Sequence, residues 1–264
     1  MKDDSPGRRV IAVDIGNTRV KVAAVDSGNG NCRANVTFAT ADLPEELPRA
    51  VARLSDDRFG LIPVVFAAVV GPAAAVAEEL FRRDHESVIR FTTAAPLPLT
   101  IQYNDSETLG IDRLANALYA VKRFPDCGVI IVSAGTAIVV DYVADGMFHG
   151  GAILPGVRLQ MECLHHATDA LPMVDIPATG NIPSLPATST RECISGGVVR
   201  GCAAAVDAII TGYAAKNATV SRPVVIGTGG DWPLLQTLVS THVDHHPQAT
   251  LSGIALAFPY LNRF

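Results

Sequence analysis

Asp14, Asn17, Thr18 and Lys21 fall within one short stretch, VDIGNTRVK, and this assortment suits the handling of a phosphate ester. A carboxylate can hold a magnesium ion directly or through water, Asn and Thr can hydrogen-bond phosphate oxygens, and an ammonium neutralises developing charge. Gly16 lets backbone N–H groups approach those oxygens, because no Cβ stands in the way. Taken alone the stretch reads equally well as a tight turn, since Asn, Asp and Gly dominate turns for conformational reasons. The pattern returns about 120 residues later, a separation too long for a solenoid period: Ser133-Ala134-Gly135-Thr136 follows the apolar run Val129 to Val132 and precedes Ile138 to Val143. A third junction of this kind is Val224 to Ile226 followed by Gly227-Thr228-Gly229-Gly230. No Gly-Lys dipeptide and no His-Arg-Asp triplet occurs, so a Walker A loop and a protein-kinase catalytic loop are both excluded.

These turns need strands to hold them. Arg8 to Asp14 and Val20 to Val25 are β-branched runs on either side of Gly16-Asn17-Thr18, which predicts a hairpin. The second Gly-Thr turn is flanked in the same way, so two similar halves are expected. Between them, a helix is expected from Pro44 to Leu54, a buried strand in VVFAAVV, and a helix over Ala73 to Arg83. Leu114 to Phe124 carries Leu114, Leu118 and Val121 at helical spacing, Leu171 to Ala187 is proline-rich and loop-like, and Arg191 to Lys216 reads as a long small-residue helix. Alternating strands and helices make this an α/β chain with layered sheets.

The chain has 264 residues, 48% hydrophobic and 18% charged, enough for a large core in one or two domains. A net charge of −5 leaves no basic footprint for nucleic acid. The apolar runs are shorter than the roughly 20 residues of a membrane span, and the N-terminus lacks signal-peptide order, so no membrane is expected and a cytoplasmic location is. Five scattered cysteines without CxxC spacing imply neither a disulfide framework nor a zinc site.

Asp14-Ile15-Gly16-Asn17-Thr18, Tyr103, Gly110-Ile111-Asp112-Arg113, Ala134-Gly135-Thr136-Ala137 with Asp141, and Gly150-Gly151-Ala152-Ile153-Leu154-Pro155-Gly156 follow one another in this order. Together they resemble the type III pantothenate kinases, of the actin-like ATPase superfamily, nearly from end to end. The GxDR and GGxIxPG segments are the most specific parts. The resemblance implies two ribonuclease H-like domains, each with a mixed sheet of the five-stranded type flanked by helices, and a nucleotide cleft between them. The expected division is 1–115, joined by a C-terminal helix over 250–264, and 116–250, carrying the second phosphate hairpin, the adenosine turn and a dimer interface. The activity implied is ATP-dependent phosphorylation of pantothenate, the first step toward coenzyme A.

In that family two hairpins hold the phosphates and a later glycine turn approaches the adenosine. The resemblance therefore assigns Asp14, Gly16, Asn17, Thr18, Lys21, Gly135, Thr136, Thr228, Gly229 and Gly230 to ATP, with Asp14 also serving Mg2+. Asp112 is the implied catalytic base. Tyr103, Gly110, Ile111 and Arg113 would line the pantothenate pocket with it, together with Thr190 from the partner subunit of a homodimer. Ser189 stands where the family usually has Asn. Ser133 stands where the family has the Asp associated with a monovalent cation, K+ or NH4+, and a hydroxyl cannot replace a full negative charge, so that dependence is expected to be weakened. The Gly150 to Gly156 segment reads as a turn and bulge with no catalytic step.

Two other readings stand beside this one: an actin-like kinase for another hydroxylated substrate, and a catalytically weakened accessory protein of transcription. The joint presence of Asp14, Lys21, Asp112 and Thr136 disfavours the second. His242, His245 and His246 with Asp244 are read as a solvated polar loop, His165 and His166 likewise, and Trp232 as a packing residue that could border the adenine.

Overall fold

The structure, a computed structural model, describes residues 7–55, 62–84, 87–216 and 223–261. The last three positions of the expected C-terminal helix, 262–264, lie outside the described residues. The chain divides into two compact units, one formed by residues 1–123 and 248–264 and the other by 124–247. A boundary at 115 falls inside a helix, Ile111–Arg123, which packs against other elements of the first unit.

In the first unit β1 (Arg9–Ile15), β2 (Arg19–Asp26), β3 (Cys32–Ala39), β4 (Val64–Ala68) and β5 (Val88–Arg90) form one sheet in the order β3-β2-β1-β4-β5. β1, β2 and β3 are antiparallel neighbours, whereas β4 and β5 run parallel to β1. The parallel pairs need helical crossovers, and α1 (Leu43–Leu54) and α2 (Gly71–Asp84) lie in the intervening chain. α1 buries Leu43, Leu47, Ala50, Val51 and Leu54, a stripe at helical spacing. After the two-residue β6 (Thr100–Ile101) comes α3 (Ile111–Arg123), which packs against α7 (Ala249–Leu261). α7 is apolar all round because it lies between α3 and the strands β1 and β2. Gly253 permits that approach, since a Cβ there would stand 1.9 Å from the Ala115 carbonyl oxygen.

The second unit repeats the plan. β7 (Val129–Ala134), β8 (Ala137–Ala144), β9 (Met147–Pro155), β10 (Val224–Thr228) and β11 (Asp244–His245) line up as β11-β10-β7-β8-β9. Again the first three are antiparallel and the last two join parallel to the first. Each unit is thus a three-stranded meander extended by two parallel strands, and Asp14 of β1 and Ser133 of β7 hold equivalent positions, two residues before the turn glycine. α4 (Val157–His166), α5 (Thr190–Lys216) and α6 (Trp232–Gln236) complete the unit. Contrary to the reading from apolar runs, α5 is by length and composition the one helix among the described residues able to cross a membrane. Its Ile194, Val199, Cys202, Val206 and Ile210 are buried in this unit's core.

Candidate active site

In the first unit, β1 carries Asp14 between the buried Val13 and Ile15, so strand alternation turns its carboxylate to the other face. Lys21 of β2 is its direct cross-strand partner, and Ala67 of β4 flanks it on the other side. Burial pushes the Asp14 carboxyl up from 3.8 to about 6; the Lys21 ammonium pulls it back down, and the Asp112 carboxylate pushes it up further. Asp14, Lys21 and Asp112 therefore share one electrostatic neighbourhood, although nearly a hundred residues separate the first from the last.

The turn after β1 is closed by the Gly16 N–H donating to the Arg19 carbonyl at 3.0 Å, with Asn17 and Thr18 exposed at its tip. Thr40 braces it from outside: its N–H donates to the Thr18 carbonyl at 3.0 Å and its hydroxyl to the Gly16 carbonyl at 2.9 Å. Sequence reasoning missed Thr40, because the contact joins residues 24 positions apart and no local pattern announces it.

Helix α3 starts three residues earlier than its apolar spacing indicated, which places Asp112 and Arg113 in its first turn. An acidic side chain there is favoured by the exposed N–H groups of the helix end. Gly110 immediately precedes the helix, and its carbonyl accepts from the Leu114 N–H at 3.1 Å. A Cβ on Gly110 would stand 2.6 Å from Asp112 Oδ1, so the carboxylate folds back over the space this glycine leaves. Ile111 is buried beside it. Arg113 is only 5% exposed, and its guanidinium carbon lies 5.6 Å from the centre of the Tyr103 ring, a cation–π contact. The first unit thus brings together Asp14, Lys21 and Asp112, and separately pairs Tyr103 with Arg113.

In the second unit, Ser133 is flanked by Val139 of β8 and by the buried Thr228 of β10. The Gly135 N–H donates to the Ala137 carbonyl at 3.0 Å, leaving Thr136 exposed at the tip. The third glycine turn touches the second hairpin directly. Gly229, at φ +94°, lies with its Cα against Ala134, where a Cβ would come within 2.1 Å of the carbonyl oxygen. The Asp231 N–H donates to that same oxygen at 3.1 Å, and Gly230 is exposed beside it. Two motifs about 90 residues apart in sequence thus form one backbone assembly, a contact for which the sequence carries no local sign.

Gly150 and Gly151 sit in a bulged stretch of β9, with Gly150 at φ +92° and the β8–β9 register shifting between Asp141 and Val143. Gly151 faces the buried Asp141, whose Oδ1 would lie 2.2 Å from any Cβ at that position. Thr190 opens α5 and is exposed. Ser189 accepts from the Glu192 N–H at 3.3 Å and donates its hydroxyl to Glu192 Oε2 at 2.8 Å. Ser and Asn are comparable caps, and S-x-x-E is the spacing of a capping box.

Trp232 is wholly buried and lies over Gly227, where a Cβ would come within 2.2 Å of the indole ring. It is a core residue and not a border of an adenine site. Asp244 and His245 form the edge strand β11 in place of the expected loop. His242 Nε2 lies 3.1 Å from Asp244 Oδ1 at the surface. No group of three His, Cys, Asp or Glu able to hold a metal is gathered among the described residues.

Known proteins extend this picture. Residues 10–212 match the family model described as type III pantothenate kinase. A type III pantothenate kinase of Porphyromonas gingivalis is 32% identical over 253 residues, covering 95% of this chain and 98% of that protein. One from Chlorobaculum parvum is 33% identical over 261 residues, covering 93% and 92%. Among solved structures, a Baf family transcriptional activator from Campylobacter jejuni superposes with a TM-score of 0.59 at 18% identity, covering 95% of this chain and 98% of that one. The activator of 2-hydroxyisocaproyl-CoA dehydratase from Clostridium difficile, solved with bound ADPNP, superposes with 0.53 at 15%, covering 96% and 94%. At those identities the structures share the actin-like fold alone, but the family match spans most of the chain, and the chain belongs to the type III pantothenate kinase family.

Proposed function

We propose that the protein transfers the γ-phosphoryl group of ATP to the terminal hydroxyl of pantothenate, giving 4′-phosphopantothenate and ADP at the entry to coenzyme A synthesis. The observation that carries this reading is the gathering of Asp14, Lys21 and Asp112 in one electrostatic neighbourhood beside a tight glycine turn. Phosphoryl transfer needs little covalent help from the protein and much positioning and charge compensation, and these three groups with their turn supply both.

Asp112 accepts a hydrogen bond from the attacking hydroxyl and takes its proton as the new oxygen–phosphorus bond forms and the bond from the γ-phosphorus to the bridging oxygen of ADP breaks. Because proton removal is late in a loose transition state, the carboxylate acts chiefly by aiming the hydroxyl. Lys21 offsets charge on the transferring group. Arg113, held against Tyr103, recognises the pantothenate carboxylate, since a guanidinium gives a charge-assisted bond to it. The N–H groups and side chains of Gly16 to Thr18 and of Gly135-Thr136 serve the phosphates, and Thr228 to Gly230 the adenosine.

A dication fits the donor set, because Asp14 is a carboxylate whose burial leaves its charge underpaired, and a neighbouring cation relieves that cost. Asp14 would hold Mg2+, which when bound neutralises phosphate charge. Thr190 completes the pantothenate pocket from the partner subunit of a homodimer, and Ser133 leaves the monovalent-cation site weakened. The enzyme works in the cytoplasm. A coupled ADP-release assay on purified protein with ATP, magnesium and pantothenate tests the reading. Turnover that depends on pantothenate supports it, and ATP binding without such turnover overturns it.

A further inference from the structure

We infer that Gly156, the last residue of the GGAILPG segment, is a positioning residue for the nucleotide: it sets the Gly135-Thr136 turn in place through backbone contact. The inference rests on the proposed role of that turn in holding ATP phosphates. Gly156 is buried and its backbone is extended, φ −66° and ψ 168°, a conformation open to any residue. Conformation therefore does not require glycine here. Space does, because a Cβ would stand 2.0 Å from the Gly135 carbonyl oxygen and 2.6 Å from that of Thr136. Both obstacles are backbone atoms, which cannot swing aside as the end of a long side chain can.

The contact is also bonded. The Gly156 N–H donates to the Thr136 carbonyl at 3.0 Å. Gly229 and the Asp231 N–H likewise hold the carbonyl of Ala134. Three consecutive carbonyls, those of Ala134, Gly135 and Thr136, are thus each seated against another segment. The peptide units from Ala134 to Ala137 are planar and trans, so a carbonyl fixed on one edge of a plane fixes the direction of the next residue's N–H on the other. Gly156 accordingly sets where the N–H groups of Thr136 and Ala137 point. Its own position is backed by α4, through the Gln160 N–H to the Gly156 carbonyl at 3.0 Å and Gln160 Nε2 to the Pro155 carbonyl at 2.8 Å.

The test compares the full-length wild type with Gly156→Ala. Affinity for Mg·ATP is read by calorimetry, the KM for pantothenate by steady-state kinetics, and folding by the thermal midpoint. A displacement of about 1 Å at a phosphate-holding backbone is expected to lower ATP affinity roughly 10- to 100-fold, while the pantothenate KM stays within about twofold. Gly197→Ala, at an α5 position where a Cβ meets nothing within 4 Å, serves as the control and leaves both unchanged. Gln160→Met keeps the bulk but removes the Nε2 bonds to the Pro155 carbonyl and, at 3.1 Å, to Cys202 Sγ, and is expected to weaken ATP binding about two- to fivefold in the same selective way. An ATP affinity unchanged in Gly156→Ala, or ATP and pantothenate affinities falling in equal proportion, overturns the inference; where Gly156→Ala does not fold, Gln160→Met decides by the same criteria. The wild-type arm judges the proposed function separately: ATP binding without pantothenate turnover sinks that function and leaves the calorimetric comparison to decide Gly156.

Discussion

Lys21 stands directly across the β1–β2 ladder from Asp14, and this antiparallel pair places an ammonium beside a carboxyl whose proton affinity burial has raised. The equivalent position in the second unit pairs Ser133 with Val139, with no charge on either side. Of these two equivalent cross-strand pairs, the one in the first unit carries the charge.

The Asp14 carboxyl is raised to about 6, so the folded chain loses stability as pH rises from its ordinary value through about 6, and the cost is full above that. In the ligand-free protein, Asp14→Asn is expected to raise the urea midpoint more at about pH 7.5 than at about pH 4.5, the difference being at most about 3 kcal/mol. An equal gain at both values would remove burial of the charge as the cause. Activity moves oppositely, since only the ionised carboxylate serves a cation: kcat/KM for ATP is expected to decline as pH drops below about 6.

Asp112→Asn keeps the shape of the side chain and removes its ability to take a proton. The rate of ADP release is expected to drop by about 10²- to 10⁴-fold, with ATP affinity retained. A near-normal rate would take Asp112 out of its proposed role.

Gly110→Ala places a methyl group 2.6 Å from Asp112 Oδ1 and forces the carboxylate to another rotamer. We expect kcat to fall about 10- to 100-fold with the ATP KM little changed. A matched fall in thermal stability and ATP binding would instead mark Gly110 as merely structural.

Replacing potassium with a bulky organic cation is expected to lower the rate of this enzyme less than that of relatives with Asp at the position of Ser133. Ser133→Asp is expected to increase the dependence, because a carboxylate supplies the charge a hydroxyl lacks. A strict potassium requirement in the wild type would falsify the weakened site.

Gly253→Ala drives a methyl group into the Ala115 carbonyl and separates α7 from α3. A loss of about 1–3 kcal/mol, read from urea unfolding, is expected for such overpacking. Full stability would mean the helices can slide apart at no cost.

By itself the sequence determined the duplicated α/β plan and the three glycine turns. β-branched runs flanking Gly16-Asn17-Thr18 and Gly135-Thr136 are local signals, and strand pairing followed them. The GxDR motif was legible too, but not that Asp112 lies in the first turn of α3 or that Gly110 makes room for it, since helix ends are set by capping and packing. Only the tertiary structure decided that Gly229 and Gly156 seat the second hairpin, that Thr40 braces the first, and that Trp232 belongs to the core. The contacts of Gly229, Gly156 and Thr40 join segments that are separated along the chain, and glycine's lack of a Cβ signals that something comes close without saying what, as with the Trp232 indole over Gly227.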